Sequence, residues 1–257
     1  MKSISIILLA GTAGLGFAAP SFRVVSAPAG GQAVAPESLA AAYGDSLASR
    51  TEWAQSRPLP TSLGGIALQV VDSNGTARPA PLLYVSPGQV NFEVPADTAP
   101  GMATFHIVNG TGVSPSATAQ VQTVAPALFS ADGSGKGVAA ATAVRIVIPT
   151  RIPSPVPVFQ CPQPDGCMAV PIDVGIDAPV FLSLYGTGIR NRGDLSGVTA
   201  TLNGVDLTVL YAGPQGIFDG LDQVNVALPI SLHGSGEGDL VLAVDGQTAN
   251  PVRIAIQ

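Results

Sequence analysis

The sequence that decides the fold reads LLYVSPGQVNFEVP at residues 82–95 and returns as VLYAGPQGIFDGLDQVNVALP at residues 209–229. Each copy holds an apolar strand with a Tyr, a turn rich in Gly and Pro, and a second strand that contains Gln-Val-Asn. A strand-turn-strand unit that occurs twice in one chain indicates a duplicated domain.

The similarity between the copies extends to both sides of this unit. Three further pairs of segments correspond, namely Tyr43-Gly44 with Tyr185-Gly186, residues 63–70 with residues 195–202, and residues 101–110 with residues 238–246. Copies of about 80 to 100 residues are too long for solenoid repeats and have the size of small β domains. The sequence therefore predicts an N-terminal domain at 19–125, a connector at 126–175 and a C-terminal domain at 176–257.

The composition favours an all-β protein. Only 11% of the 257 residues are charged, and 30 Gly and 23 Pro separate short runs rich in β-branched residues. This is typical of many short strands joined by turns. Val90, Phe92 and Val94 alternate with polar residues, so one face of that strand is predicted to be buried. We expect two immunoglobulin-like β-sandwiches in tandem and favour them over a barrel.

The charge pattern excludes one class of partner. The formal net charge is -6, and the basic residues form no cluster. A protein that binds nucleic acid or an anionic membrane by electrostatics needs a basic surface. We therefore expect no nucleic-acid partner.

The N-terminus predicts export. A charged start at Met1-Lys2-Ser3 precedes an apolar run at residues 4–10 and a small-residue stretch that ends at Ala19. This order is typical of a secretory signal, and cleavage after Ala18 gives a signal peptide at 1–18. A membrane anchor is the alternative, but three glycines interrupt a run that is already short for a bilayer. We expect a secreted or cell-surface protein with no membrane span in the mature chain.

Cys161 and Cys167 are the only cysteines, and they bracket a turn rich in Pro, Asp and Gly. In an exported protein this arrangement favours a disulfide that closes a small hairpin in the connector. A redox pair or a metal site is the alternative, but the spacing is not Cys-x-x-Cys and no His lies nearby.

Several ordered motifs resemble those of a known family. They are YGTGIRN at 185–191, LYAGPQG at 210–216, GLDQVN at 220–225, APALF at 125–129 and GKGVAA at 135–140. From Tyr43 onward the chain is similar to the C-terminal domain family of exported Acidobacterial, Solibacter-type proteins. The resemblance implies an exported β domain, and it implies no catalytic residue because the family has no established activity.

No set of catalytic residues converges in the sequence. His106 and His233 are the only histidines, and neither has a third ligand at zinc spacing. The chain lacks the Gly-x-Ser-x-Gly elbow of many hydrolases, and residues 133–137 lack the spacing of a phosphate-binding loop. We predict a non-enzymatic protein with no cofactor.

Three weaker patterns are also explained by turns. Asp194, Asp219 and Asp222 are candidate calcium ligands, although they form no calcium-loop motif, and turn-capping roles are favoured. The tripeptide Arg192-Gly193-Asp194 occurs in cell-adhesion ligands but is too short to be specific. Asn74-Gly75-Thr76 and Asn109-Gly110-Thr111 are formal glycosylation sequons, yet Asn-Gly is also a favoured hairpin turn.

The repeated unit supplies the candidate ligand-binding residues, Tyr84 and Tyr211. We expect both to pack at a sheet edge with their hydroxyl groups on backbone groups, and a carbohydrate platform is the alternative. In the two Gln-Val-Asn triplets, Val90 and Val224 are predicted to face the core. The Asn side chains are predicted to bond to loop backbone.

These observations favour a non-enzymatic exported protein, a surface or extracellular-matrix module for structure or interaction. Its expected partner is an unknown protein or glycan at the cell surface. The alternative is a carbohydrate-binding, lectin-like module or an accessory domain of a carbohydrate-active enzyme. Fold class alone does not decide between them.

Overall fold

A computed structural model describes residues 22–110, 115–148, 150–162, 166–175 and 178–257. The predicted signal peptide lies outside these residues. The described part consists of strands and two 3-10 turns, Leu195–Gly197 and Ile230–Leu232, with no α-helix. The predicted all-β class is therefore confirmed. Nowhere in the described residues is there a helix of the length and hydropathy needed to cross a membrane.

The first half of the structure, residues 22–121, contains eleven strands in the part that the structure describes. In chain order they are β1 (Phe22–Ser26), β2 (Ala33–Val34), β3 (Leu39–Gly44), β4 (Glu52–Trp53), β5 (Ser62–Leu63), β6 (Ile66–Val71), β7 (Ala77–Pro79), β8 (Leu82–Val85), β9 (Gln89–Glu93), β10 (Gly101–Asn109) and β11 (Ser116–Val121).

The second half, residues 125–256, contains twelve strands among its described residues. They are β12 (Ala127–Leu128), β13 (Ala141–Val147), β14 (Ile152–Val156), β15 (Phe159–Gln160), β16 (Met168–Ala169), β17 (Val180–Thr187), β18 (Val198–Leu202), β19 (Val205–Pro214), β20 (Asp222–Leu228), β21 (Gly236–Val244), β22 (Gln247–Thr248) and β23 (Val252–Ile256).

Two sheets of the first half share one core. One has the order β1-β3-β9-β8-β4, and the other has the order β2-β11-β10-β6-β5 with β7 beside β6. Alternate residues of β9 and β10 point inward, as the sequence pattern predicts. The rings of Phe92 and Phe105 lie 5.8 Å apart between centroids and join the two sheets in one buried cluster.

A single ten-stranded sheet forms most of the second half. Eight of its strands have the order β14-β13-β17-β20-β19-β18-β21-β22, and in addition β12 pairs with β17 and β23 pairs with β21. The long strand β19 pairs with β18 near Val205 and with β20 beyond Thr208, so it connects the two parts of the sheet. The buried residues of this half form a cluster separate from that of the first half.

The strand pairings repeat between the halves. Corresponding pairs are β1/β3 and β13/β17, β3/β9 and β17/β20, β8/β9 and β19/β20, β6/β10 and β18/β21, and β10/β11 and β21/β23. Tyr43 lies opposite Gln89 in the first half, and Tyr185 lies opposite Gln223 in the second. Segments that correspond in sequence therefore also pair with the same register in the two halves.

The segment 126–175, predicted as a connector, contributes to the second sheet. Within it, β13 pairs with β17 and β14 pairs with β13. β13 lies beside β17 as β1 lies beside β3, so residues before 176 form part of this sheet. Its prolines obscured this strand pair, but Pro153 and Pro155 lie on the edge strand β14, where a missing N–H is tolerated.

Candidate binding cleft

Tyr84 lies beside the only tryptophan of the chain. The short strand β4 pairs with β8 and places Trp53 opposite Tyr84, with 4.4 Å between ring centroids and 51° between ring planes. Tyr84 is half-buried, whereas Trp53 is 60% exposed. A single exposed ring needs no explanation, but exposed apolar side chains that gather in one groove mark interaction sites.

A second exposed aromatic residue comes from the other half of the structure. Phe218 lies in the loop between β19 and β20 and is 58% exposed. The Oε1 atom of Gln215 accepts hydrogen bonds from the N–H groups of Ile217 and Phe218, at 3.0 and 3.2 Å. The loop is therefore held in a defined conformation rather than left to sample many.

Trp53 and Phe218 line a common groove of about 550 Å³, which we call the aromatic cleft. Its lining residues are Trp53, Ala54, Gln55, Ser56, Arg57, Leu59, Leu83 and Phe218. The volume is in the range of small-molecule sites, and the mixture of apolar walls with a few polar groups is typical of them.

Arg57 is the one cationic residue that lines the aromatic cleft, and the carboxylate of Asp219 balances its charge. The Arg57 guanidinium lies 4.9 Å from the centroid of the Phe218 ring, a cation–π contact. Its Nε atom lies 3.7 Å from Oδ2 of Asp219. Because this pair cancels in charge, the aromatic cleft presents two rings, the Gln55 amide and the Ser56 hydroxyl group without net charge.

A buried hydroxyl group joins the loop that carries Phe218 to the first half. The N–H of Leu39 donates to Oγ1 of Thr187 at 2.7 Å, and this hydroxyl group donates to the carbonyl of Gly220, also at 2.7 Å. Gly220 has φ +69°, and a Cβ atom there would lie 2.7 Å from the Leu39 side chain. Glycine is required by both the backbone conformation and the close approach. We call this contact between the halves the seam.

An ion pair buried next to the seam supports the same loop. Asp222 has no exposed side-chain surface, and its Oδ1 lies 2.7 Å from Nε of Arg190. Its Oδ2 accepts the N–H of Ile189 at 2.7 Å and that of Arg190 at 3.2 Å. Burial raises the pKa of Asp222, and these hydrogen bonds and the guanidinium oppose that effect.

Glu93 is a second carboxyl group at the seam. Burial raises its pKa to about 7; Arg190 opposes the shift, and the negative charges of Asp219, Glu37 and Asp222 add to it. No hydrogen bond to the Glu93 side chain occurs within the described residues. The seam therefore contains more carboxyl groups than cations, since Glu37, Glu93 and Asp222 all lie near Arg190.

Tyr84 and Tyr211, the residues predicted from sequence, lie outside the lining of the aromatic cleft. The hydroxyl group of Tyr211 donates to the carbonyl of Pro214 at 2.6 Å, the kind of backbone bond predicted for it. Tyr84 instead packs against Trp53. Sequence reasoning missed Trp53 and Phe218, although a lone Trp in a polar segment and a Phe in a Gly-rich turn were available signals.

The Gln-Val-Asn triplets behave alike in both halves. Val90 and Val224 are fully buried, as predicted. The predicted bonds from Asn to loop backbone are not the ones observed. Instead, Nε2 of Gln89 donates to Oδ1 of Asn91 at 2.7 Å, and Gln223 donates to Asn225 at the same distance.

Three of the other candidate residues have structural partners, whereas Asp194 precedes the turn Leu195–Gly197 without a side-chain cap bond. Arg192 donates to the carbonyls of Ala212 and Gly193 at 2.7 Å each, and Asp219 faces Arg57. The side chain of Asp222, one of the candidate calcium ligands, bonds Arg190 and backbone N–H groups. Among the described residues, no group of three or more His, Cys, Asp and Glu is placed to hold a metal ion.

The predicted disulfide between Cys161 and Cys167 is present, with 4.0 Å between the Cα atoms. It spans the hairpin of β15 and β16, in which Phe159 pairs with Ala169 and Gln160 pairs with Met168. This hairpin has no counterpart between β1 and β3 and is an addition to the second copy.

Comparison of the chain with known protein families and with curated proteins finds no match.

Proposed function

We propose that this protein is an exported, non-enzymatic binding module that holds a neutral glycan in the aromatic cleft. The two halves are, in this proposal, tandem immunoglobulin-like β-sandwich domains of the Solibacter-type family. The proposal rests on the two exposed rings, Trp53 and Phe218, which line one groove from opposite halves of the molecule.

The chemistry of the aromatic cleft favours a sugar over other ligands. A pyranose ring has an apolar C–H face that can lie on an aromatic ring, and hydroxyl groups at its rim that need donors and acceptors. Trp53 and Phe218 offer the rings, and Gln55, Ser56 and Arg57 lie beside them. A charged ligand is disfavoured because Asp219 already neutralises the single cation.

The aromatic cleft is held open before a ligand arrives. The Gln215 bonds, the Thr187 hydroxyl group and the Arg190–Asp222 pair fix the loop that bears Phe218. A preformed site loses less conformational entropy on binding than one that must be ordered. The three interactions therefore support a binding role.

Intrinsic fluorescence tests this proposal directly, because Trp53 is the only tryptophan. Neutral oligosaccharides of several linkage types are titrated into the full chain, and the Trp53 emission is expected to change and saturate with one of them. Affinity electrophoresis in gels that contain the matching polysaccharide gives an independent readout. Phe218→Ala is expected to weaken binding by about tenfold or more, as loss of an aromatic anchor does.

The matched control is Ile217→Ala. Ile217 is 63% exposed and adjacent in the chain to Phe218, but it does not line the aromatic cleft. The control variant is expected to bind like the parent protein. Equal losses in both variants, or a change of Trp53 emission with peptides but with no oligosaccharide, would contradict the proposal.

A further inference from the structure

A second cavity lies between the halves and has a different lining. Its volume is about 350 Å³. Its polar lining residues are Ser26, Gln32, Gln122, Gln247, Thr248 and Asn250, and the remainder are Ala, Gly and Pro. We call it the amide cavity. It shares no residue with the aromatic cleft.

The amide cavity contains polar groups that lack partners. Ser26 is 4% exposed, and its Oγ is the one buried side-chain polar atom of the described residues without a hydrogen-bond partner. Gln122 is half-buried, Gln32 and Gln247 are exposed, and within the described residues no side-chain hydrogen bond forms to any of the three. Buried polar groups are almost always paired in native proteins, so an unpaired one needs an explanation.

Asn250 fixes one wall of the amide cavity. Asn250 accepts the N–H of Leu128 at 2.8 Å and donates to the carbonyls of Leu128 and Gly135, at 2.9 and 2.8 Å. Gly135 has φ +72°, and a Cβ atom there would lie 2.3 Å from the carbonyl oxygen of Pro28. The second half is therefore packed closely against the turn that follows Ser26.

We propose that the amide cavity is a binding site for a neutral hydroxylated molecule of the size of one sugar ring. Side-chain amides and hydroxyl groups both donate and accept hydrogen bonds, as a polyol does. The lining has no charged residue, so nothing in it compensates a carboxylate or an ammonium group. Rotation of the Ser26 hydroxyl group into the cavity would give it the partner that it lacks. The proposal does not depend on the aromatic cleft.

Protein-observed NMR on the full chain tests the site. The probes are glucose, galactose, mannose and N-acetylglucosamine, with glucuronate and glucosamine as charged comparators. We expect a saturable shift of the side-chain amide signals of Gln122 and Gln247 with at least one neutral probe. The same shift is expected in Trp53→Ala, which separates this site from the aromatic cleft.

The variants Gln247→Ala and Ser26→Ala are expected to weaken binding of that probe about tenfold or more. Gln120→Ala is the matched control, because Gln120 is an exposed glutamine near Gln122 that does not line the amide cavity. If Ser26 had a purely structural role, its substitution would change the stability of the protein with no effect on binding of the probe. That result, the absence of a saturable shift with any neutral probe, or tighter binding of a charged comparator would overturn the proposal.

Discussion

Nε of Arg190 lies 2.7 Å from Oδ1 of Asp222, and the pair is enclosed where the two halves of the molecule meet. Asp222 is the first residue of β20 and follows the loop that carries Phe218. Arg190 also lies 3.8 Å from Glu37, across the seam. One guanidinium thus connects the strand that supports the aromatic cleft to the first half.

Removal of either partner of this pair is expected to be strongly destabilising. Arg190→Met leaves the Asp222 carboxylate buried without its cation, and loss of one partner from a buried pair costs about 3 to 5 kcal/mol. The exposed pair Arg50–Glu52, at 2.8 Å, is the matched control, and Arg50→Met is expected to cost at most about 1 kcal/mol. Urea denaturation measures both. Similar effects of the two substitutions would show that the seam pair has no special role.

The stability of the protein is expected to fall as the pH rises from 4.5 to 7. Burial raises the pKa of Glu93 from 4.5 to about 7, so within this window the folded chain holds a proton that the unfolded chain has released. Rising pH disfavours the state that binds more protons, and in this window that is the folded state. The contribution of Glu93 is therefore complete below pH 4.5 and lost above pH 7.

Glu93→Gln isolates this contribution, because glutamine stays neutral at every pH. Its melting temperature is expected to exceed that of the parent increasingly as the pH rises from 4.5 to 7, and the difference is expected to level off above pH 7. Arg190, Glu37, Asp219 and Asp222 surround Glu93 and remain in the variant. Glu237→Gln, which removes an exposed carboxylate paired with Arg253, is the control. A constant difference between Glu93→Gln and the parent across this pH range would contradict the assignment.

Most of the strands were predictable because local patterns define them. Ile66–Val71 and Val198–Leu202 are examples, since apolar residues alternate within them and turn residues end them. The strand β4 was missed because two residues carry no periodicity, and β13 was missed because the prolines around it indicated a connector. In both cases pairing with a neighbouring strand, rather than local sequence, forms the strand.

The aromatic cleft was not predictable from the sequence. Trp53 and Phe218 lie in different copies of the repeat, and only the packing of the halves brings them to one groove. The repeated motif predicts Tyr84 and Tyr211 as candidate binding residues because a Tyr occurs at this position in both copies of the motif. Trp53 and Phe218 each lie in one half and have no counterpart in the repeated motif, so the repeat does not mark them.

The Gln-Asn pairs give a stability test that can be repeated within one molecule. Each bond joins two half-buried side chains two residues apart on one strand, so a net contribution of about 0.5 to 1.5 kcal/mol is expected. A double-mutant cycle with Gln89→Ala and Asn91→Ala measures the coupling free energy, and a second cycle uses Gln223 and Asn225. The two values are expected to agree. A coupling near zero in both would show that the shared geometry contributes nothing to stability.

Reduction of the disulfide is expected to loosen one hairpin and leave both cores folded. The loop between Cys161 and Cys167 is short, so the disulfide removes little conformational entropy from the unfolded chain. Its contribution to the free energy of unfolding is at most about 2 kcal/mol. Both ends of the hairpin are anchored independently, because Val158 and Ile172 are buried in the core of the second half and the N–H of Val170 donates to Val158.

Limited proteolysis with and without reductant, with cut sites read by mass spectrometry, measures the effect. Cysteine-to-serine replacement at both positions controls for side effects of the reductant. The first new cuts are expected between residues 159 and 169, while β13 and β14 stay intact. Global unfolding on reduction would show instead that the second core depends on the disulfide.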